Sequence, residues 1–275
     1  MTQGAVKFDI HTHHERCGHA DGVIEDYILN AIEQGLKVIG ISDHSPYFAH
    51  QDDHPFPHIT MATSDFANYV EEVLLLKQKY ADKIDVLLGL ESDFFPDYVT
   101  IYREQLSKYP FDYVIGSVHH VDDVSIFNKK RWSKLNKKQL IETKEKYYNL
   151  IAESAKSGMF QILGHIDAMK AYYPDFSHIP AQHAVDEALK TIAECKVAIE
   201  VNTSGSTKLV GGWYPSDEIL ERAFHFGVKI SFGSDAHKPS RIGEDFEKVA
   251  ALLQQIGYKS WVYYKNKEAI EVSLT

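Results

Sequence analysis

Seven short apolar runs, each ending in polar residues or glycine, limit what this chain can fold into. They cover residues 6–13, 37–44, 84–93, 112–120, 160–167, 196–204 and 228–237. A near-continuous run of Val, Ile, Leu and Phe reads as a strand buried on both faces, the habit of parallel sheets. Between two of them, residues 23–34 place Ile24, Tyr27, Ile28, Ala31 and Ile32 at spacings of three and four, and Gly35 closes the pattern. Residues 65–80 do the same with Phe66, Tyr69, Val70, Val73 and Leu74, behind Ser64 as an N-cap. Residues 186–194 and 216–226 repeat the rhythm. Strands alternating with helices imply right-handed crossovers and an α/β architecture. No linker rich in Pro, Gly or Ser divides the 275 residues, so a single closed barrel over 1–275 is expected rather than two domains.

The chemistry gathers where the strands end. Six of the runs finish in DIHTHH, SDH, GLESD, SVHH, GHID and GSDAH, in a chain that carries 15 histidines. Side chains alternate faces along a strand, so Asp9, His11 and His13 share one face, as do Ser231, Gly233, Asp235 and His237. By the same parity Glu91 points with Gly89, His119 with Ser117 and His165 with Leu163. In α/β barrels the C-terminal ends of the strands floor the active site. So many unpaired polar groups at one rim would be costly to desolvate unless a cation gathers them. Imidazoles and carboxylates without thiolates suit Zn, Mn, Fe or Co. The candidates exceed what one tetrahedral ion takes, which points to two or three ions with Glu91 as a bridge. His14, His50, His54, His58, His120, His178, His183 and His225 are surplus, though His120 and the histidines of loop 45–64 are placed to touch substrate. Cys17 lies between candidate ligands, and Cys195 sits near a helix end.

Composition closes other routes. With 29 Lys+Arg against 39 Asp+Glu the formal charge is −10, which argues against a nucleic-acid partner. No apolar run reaches the roughly 18 residues of a membrane helix, and the first residues carry no signal-peptide pattern. Two cysteines make no disulfide framework, so a reducing cytoplasm is the expected setting. Two connections are long. Residues 45–64 follow a strand's C-terminal end and read as a lid. Residues 121–138 carry the basic run FNKKRWSKLNKK, either a solvated helix start or a positive rim that attracts an anionic substrate.

Taken together, DIHTHHERCGHADG, GISDHSPY, GLESDFF, IGSVHH, LGHIDAMKAYYP, EVNTSGSTK and GSDAHKPSRIG resemble the polymerase-and-histidinol-phosphatase (PHP) superfamily, and within it the histidinol-phosphatase type. The resemblance runs almost the whole chain. It implies a distorted seven-stranded barrel, (β/α)7, with a trinuclear metal site at the C-terminal rim. By that resemblance His11, His13, Glu91 and Asp235 hold one ion. Glu91 bridges to a second, completed by His119 and His165, and His19, His44 and His237 hold the third. Only the resemblance promotes His19 from a loop histidine to a ligand. Asp9 is expected to orient a ligand imidazole through its other nitrogen. Seven neutral histidines and two carboxylates around two or three divalent ions leave an excess of about +2 to +4, suited to a phosphate monoester dianion.

The reaction implied is hydrolysis of a small-molecule phosphate ester, L-histidinol phosphate in histidine biosynthesis, by a metal-bound hydroxide, with no membrane partner. Glu91 and Asp235 are the catalytic carboxylates, and His120 or metal-bound water is the candidate general acid. Relatives are expected to grip phosphate with arginines after the fifth and sixth strands; here those loops carry Lys170 and Lys208, and Arg241 can supply a guanidinium. The same site also suits nucleotide or sugar phosphates. An amidohydrolase reading fails because SVHH lacks the lysine that class uses. A nucleic-acid-processing module conflicts with the acidic charge. A metal-storing module leaves the open rim without purpose.

Overall fold

The structure is a computed structural model describing residues 6–274; Met1–Ala5 and Thr275, the ends of the expected single domain, lie outside the described residues. All seven apolar runs contain strand. In chain order they give β1 (Phe8–Asp9), β2 (Val38–Ile41), β3 (Asp85–Leu88), β4 (Glu91–Asp93) and β5 (Ile115–Ser117). A hairpin follows, β6 (His120–Val121) and β7 (Val124–Ser125), and then β8 (Ile162–Leu163), β9 (Ala198–Asn202) and β10 (Ile230–Gly233). A second hairpin, β11 (Ser260–Lys265) and β12 (Glu268–Ser273), ends the fold. Strands β1-β2-β3 form one sheet and β10-β9-β8-β5-β4 another, with every neighbour parallel. Single bridges link the two sheets, Thr12 to Ala236 and His44 to Glu91.

Among the described residues seven α-helices lie between the strands: α1 (Ile24–Glu33), α2 (Phe66–Lys79), α3 (Val99–Ser107), α4 (Lys137–Lys156), α5 (Gln182–Cys195), α6 (Asp217–His225) and α7 (Phe246–Ile256). Their apolar stripes face one continuous core. α1 buries the expected Ile24, Tyr27, Ile28 and Ala31. Gly35 ends it at φ +77°, where a side chain would be strained. The periodicity did not single out α3, α4 or α7, nor the two hairpins. Both hairpins turn on paired residues with positive φ, Asp122–Asp123 and Asn266–Lys267, the conformation that fits the strand twist. The second hairpin packs Trp261 against Phe8, Phe232 and Phe246, with ring centroids 5.1, 5.9 and 4.4 Å away.

Four expectations change. Residues 84–93 are two strands, bent at Gly89–Leu90, so that β3 pairs with β2 and β4 with β5. The Tyr113 ring occupies the space beside that bend: a Cβ on Gly89 would stand 2.4 Å from it, and one on Gly40 1.8 Å from its hydroxyl. That buried hydroxyl donates to the Ile10 carbonyl at 2.5 Å. Second, Ser64 does not cap α2; a short 3-10 turn precedes the helix, and Ser64 is held instead by Asp53 at 2.7 and 2.8 Å. Third, the basic run is divided in its work. Arg131 donates to the carbonyls of Val121 and Val124 and so braces the first hairpin, and Trp132 stacks on Tyr173 at 4.6 Å. α4 begins only at Lys137, behind an Asn136–Gln139 capping box. Fourth, loop 45–64 folds against Gly18, where an added Cβ would meet the Pro57 carbonyl. No helix among the described residues is long and apolar enough to cross a membrane.

The Tyr113 packing gives a direct test. Gly40→Ala should cost about 1–3 kcal/mol of stability by overpacking. Tyr113→Phe, which removes one buried hydrogen bond, should cost about 1 kcal/mol. Urea unfolding of the two variants measures both; a Gly40→Ala protein as stable as the parent would show that the space is not filled as described.

Candidate metal centre

Beyond Asp9 the chain leaves the ladder of β1 with His11 and His13 on one face, and a short turn and Gly18 then bring His19 back toward them. β2 leads to His44, β4 opens on Glu91, the β5–β6 junction carries His119, β8 leads to His165, and β10 leads to Asp235 and His237. All nine converge. Glu91 is 1% exposed, and its two oxygens divide the histidines. Oε2 lies 2.8 Å from His44 Nδ1, 3.4 Å from His11 Nε2 and 3.5 Å from His13 Nε2. Oε1 lies 3.0 Å from His165 Nε2 and 3.5 Å from His119 Nε2, and accepts from the Ser117 hydroxyl at 2.6 Å. Asp235 Oδ1 lies 3.0 Å from His13 Nε2 and 3.5 Å from His237 Nδ1. His19, His44 and His237 form a set whose ligand atoms lie within 4.8 Å of one another.

The hydrogen bonds made by the far side of each ring decide what the near side can do. Glu200 meets His11 Nδ1 at 2.9 and 3.0 Å, Asp43 meets His13 Nδ1 at 3.1 Å, and Asp93 meets His119 Nδ1 at 3.0 Å. Each carboxylate accepts a hydrogen bond from Nδ1–H, so a neutral ring turns an Nε2 lone pair inward. His19 and His237 likewise donate Nδ1–H to the carbonyls of Cys17 and Asp235, at 3.1 and 3.0 Å. Their Nε2 atoms then face each other at 2.9 Å, lone pair to lone pair. His11 Nε2, His13 Nε2 and Glu91 Oε2 are buried with no hydrogen-bond partner. Inward lone pairs on buried carboxylates and on each other are repulsive until a cation stands among them, so these donors fit divalent metal.

Without metal, the surrounding carboxylates favour protons on His11, His13 and His119, so the cluster's demand for positive charge is met by protons that bound ions would displace. Burial opposes charge on Glu91, but His44, His11 and His119 outweigh it and hold its pKa well below the carboxylate range. Asp235 is held low in the same way by His11 and His13. Burial also opposes charge on His13, yet Asp235, Asp43 and Glu91 push it up to about 9. Asp93 and Glu91 do the same for His119, also to about 9. Burial and neighbouring histidines take His19 down to about 4. Burial and His13 take His237 to about 3, so that pair is neutral.

Several expectations need correcting. Asp9 does not orient an imidazole. It accepts backbone N–H groups from His11, Ser234 and Gly243 at 3.3, 2.9 and 2.8 Å, tying the first strand to the last. The orienting carboxylates are Asp43, Asp93 and Glu200. Glu200 was legible as a charge inside the apolar segment AIEVN, in the one of the seven runs that offers no candidate ligand. His120 faces away from the cluster because strand parity sends it opposite to His119; it lines a separate cavity and stacks on Phe95. Burial lowers its pKa. Lys170 is 4% exposed, with its ammonium on Asp167 at 2.7 Å and on the Trp213 carbonyl at 2.9 Å, and does not line the metal cavity. Loop 45–64 contributes nothing to that cavity either. Cys17 donates its thiol proton to the His14 carbonyl at 3.1 Å, and burial raises its pKa.

The metal cavity has a volume of about 510 Å³. Lys208, Lys238 and Arg241 line it together with His19, His44, His119, His165 and His237, and Phe127, Tyr172 and Tyr214 complete the wall. Arg241 also donates to Glu244 and, at 3.2 Å, to Ser206. Asp235 is steadied from behind by Ser204 at 2.9 Å and Asn202 at 3.2 Å.

Because Glu200 fixes the His11 tautomer, Glu200→Gln should weaken zinc binding by about 10- to 100-fold. Competition with a chromophoric chelator reads the affinity, and parental affinity in the variant would remove Glu200 from this role.

Comparison with known proteins places the chain. The PHP domain model matches residues 9–204. A probable histidinol-phosphatase of Deinococcus radiodurans is 30% identical over 260 residues, 94% of this chain and 97% of that protein. The histidinol-phosphatase of Bacillus subtilis is 28% identical over 261 residues, 88% of this chain and 97% of that one. In structure, a putative histidinol phosphatase of Listeria monocytogenes superposes with a TM-score of 0.79 at 24% identity, covering 88% of this chain and 99% of that one. The histidinol phosphate phosphatase of Lactococcus lactis, solved with zinc, L-histidinol and phosphate, gives 0.77 at 18%, covering 96% and 98%. On the family-model match and the Deinococcus relative, this α/β chain belongs to the PHP domain family.

Proposed function

We propose that this protein is a metal-dependent phosphomonoesterase that hydrolyses L-histidinol phosphate to L-histidinol and phosphate. The observation that carries the chemistry is the set of inward imidazole lone pairs around buried Glu91, opening into a cavity with cationic side chains on its wall. Relatives named histidinol-phosphatase, alignable over nearly the whole chain, support the substrate. His11, His13, Glu91 and Asp235 would hold one divalent ion, Glu91, His119 and His165 a second, and His19, His44 and His237 a third. When bound, such ions supply positive charge for the phosphoryl oxygens and a nucleophilic oxygen at neutral pH. The two sheets form one distorted seven-stranded barrel in this reading, which the Thr12–Ala236 and His44–Glu91 bridges support.

The chain's own groups divide the remaining work. Lys208 forms no ion pair among the described residues and lines the cavity, so its ammonium is free to meet a phosphate oxygen. Arg241 presents a guanidinium already steadied by Glu244. Phe127 and Tyr172 offer flat apolar surface to the alcohol half of the substrate. Neither Lys170 nor His120 takes part, one being spent on Asp167 and the other facing elsewhere.

Phosphate release from L-histidinol phosphate, beside a panel of nucleotide and sugar phosphates with Mn or Zn supplied, tests the proposal. A kcat/KM for histidinol phosphate orders of magnitude above the panel is expected; uniform weak activity would retain the phosphoesterase and discard the named substrate. Glu91→Gln should abolish turnover, and a parental rate would refute the bridge. Lys208→Ala should raise KM more than it lowers kcat, because it removes ground-state binding.

A further inference from the structure

A second cavity among the described residues is larger than the one beside the candidate metal centre. It has a volume of about 870 Å³ and lies on the other side of the segment that bears His119 and His120. His119 turns into the cluster, and His120 lines this second space. Its walls are aromatic. Tyr47 meets Phe56 at 4.9 Å and Phe95 at 5.5 Å, Phe95 meets Tyr98 at 6.4 Å, and the His120 ring lies along Phe95 at 6.2 Å. Phe56 and Tyr98 are 42% and 46% exposed, large apolar rings left open to solvent. The buried His120 Nδ1 has no hydrogen-bond partner. The rim is acidic: Asp97, Asp122, Asp123 and Glu153 line it, against one cation, Lys146, which is already bound to Asp122 at 2.9 Å. Asp97, Asp123 and Glu153 have no cationic partner among the described residues.

From this arrangement we propose that the second cavity is a binding site for a small organic cation carrying a flat ring, an aromatic or heteroaromatic amine. The volume falls in the range of small-molecule sites, which are mostly apolar with a few placed polar groups. Ring faces attract an ammonium through their quadrupoles, and the free carboxylates add to that attraction. The unpartnered His120 nitrogen supplies one directional contact beside the aromatic rings. An anionic ligand is disfavoured by the rim, so this cavity selects the opposite charge from the metal cavity one strand away.

Isothermal titration of the metal-loaded protein with phenethylamine, 2-phenylethanol and phenylacetate separates ring recognition from charge recognition. The amine is expected to bind about tenfold or more tightly than the alcohol, with the acid weakest. Asp97→Asn combined with Asp123→Asn should remove the preference for the amine and leave alcohol binding unchanged. Tyr98→Ala should weaken amine and alcohol alike. All three positions are exposed, and an unchanged melting temperature shows that the variants fold. The proposal is overturned if none of the three compounds binds, if amine and alcohol bind equally, if the double variant keeps the preference, or if inorganic phosphate displaces the amine, which would place it in the metal cavity.

Discussion

A buried carboxylate facing five imidazole rings is the constraint from which the rest of this structure follows. Glu91 is nearly inaccessible, and an isolated charge there would be expelled or neutralised. It is tolerated because histidines from the chain after β1, β2, β5 and β8 crowd its two oxygens. Bringing those segments to one point requires strands that run parallel and end at one level. That in turn requires crossover helices to cover the sheets. The second ring of carboxylates is a consequence of the first. Without Asp43, Asp93 and Glu200 on the far nitrogens, each imidazole could place a proton inward and satisfy Glu91 by itself. With them, His11, His13 and His119 present lone pairs when neutral, and the cluster is left short of positive charge.

Much of this was legible in the sequence because parallel strands write themselves plainly. The seven apolar runs all contain strand, and parity along them correctly paired His11 with His13 and separated His119 from His120. The same alternation places His120 on the wrong face for a general acid. The orienting role expected of Asp9 belongs to Glu200 for a different reason. Both are buried acids in apolar strands, and periodicity says only which face each takes. Whether a carboxylate meets a ring nitrogen or a row of backbone N–H groups depends on which loop packs above it. For Asp9 that loop carries Gly243, more than two hundred residues away. Lys170 misled similarly, since a lysine after a barrel strand reads as a phosphate ligand until Asp167, three residues earlier, is seen to hold it. The split of residues 84–93 had no local signal beyond Gly89, because the ring that occupies the bend belongs to Tyr113 on another segment.

The two cavities show how one segment can serve opposite chemistries. A two-residue period sends consecutive side chains to opposite sides, so a His-His pair at a strand junction contributes to two environments at once. On one side lies a cluster that draws anions once its cations are present. On the other lie aromatic faces and unpaired carboxylates. The acidic balance of the chain is thus unevenly spread, and the net charge of −10 says little about either cavity.

The candidate ligands run from His11 to His237, and this spacing bears on how the protein is made. As the chain emerges from the ribosome, His11 and His13 appear well before their partners Asp235 and His237, which arrive only after six further helices have been synthesised. Until then the nascent protein offers only fragments of the centre, with Asp43 and Glu200 equally out of place. Completing the last parallel strand therefore does more than close the fold. It is the step that brings the scattered histidines together, so the centre cannot assemble before the chain beyond β10 has been made.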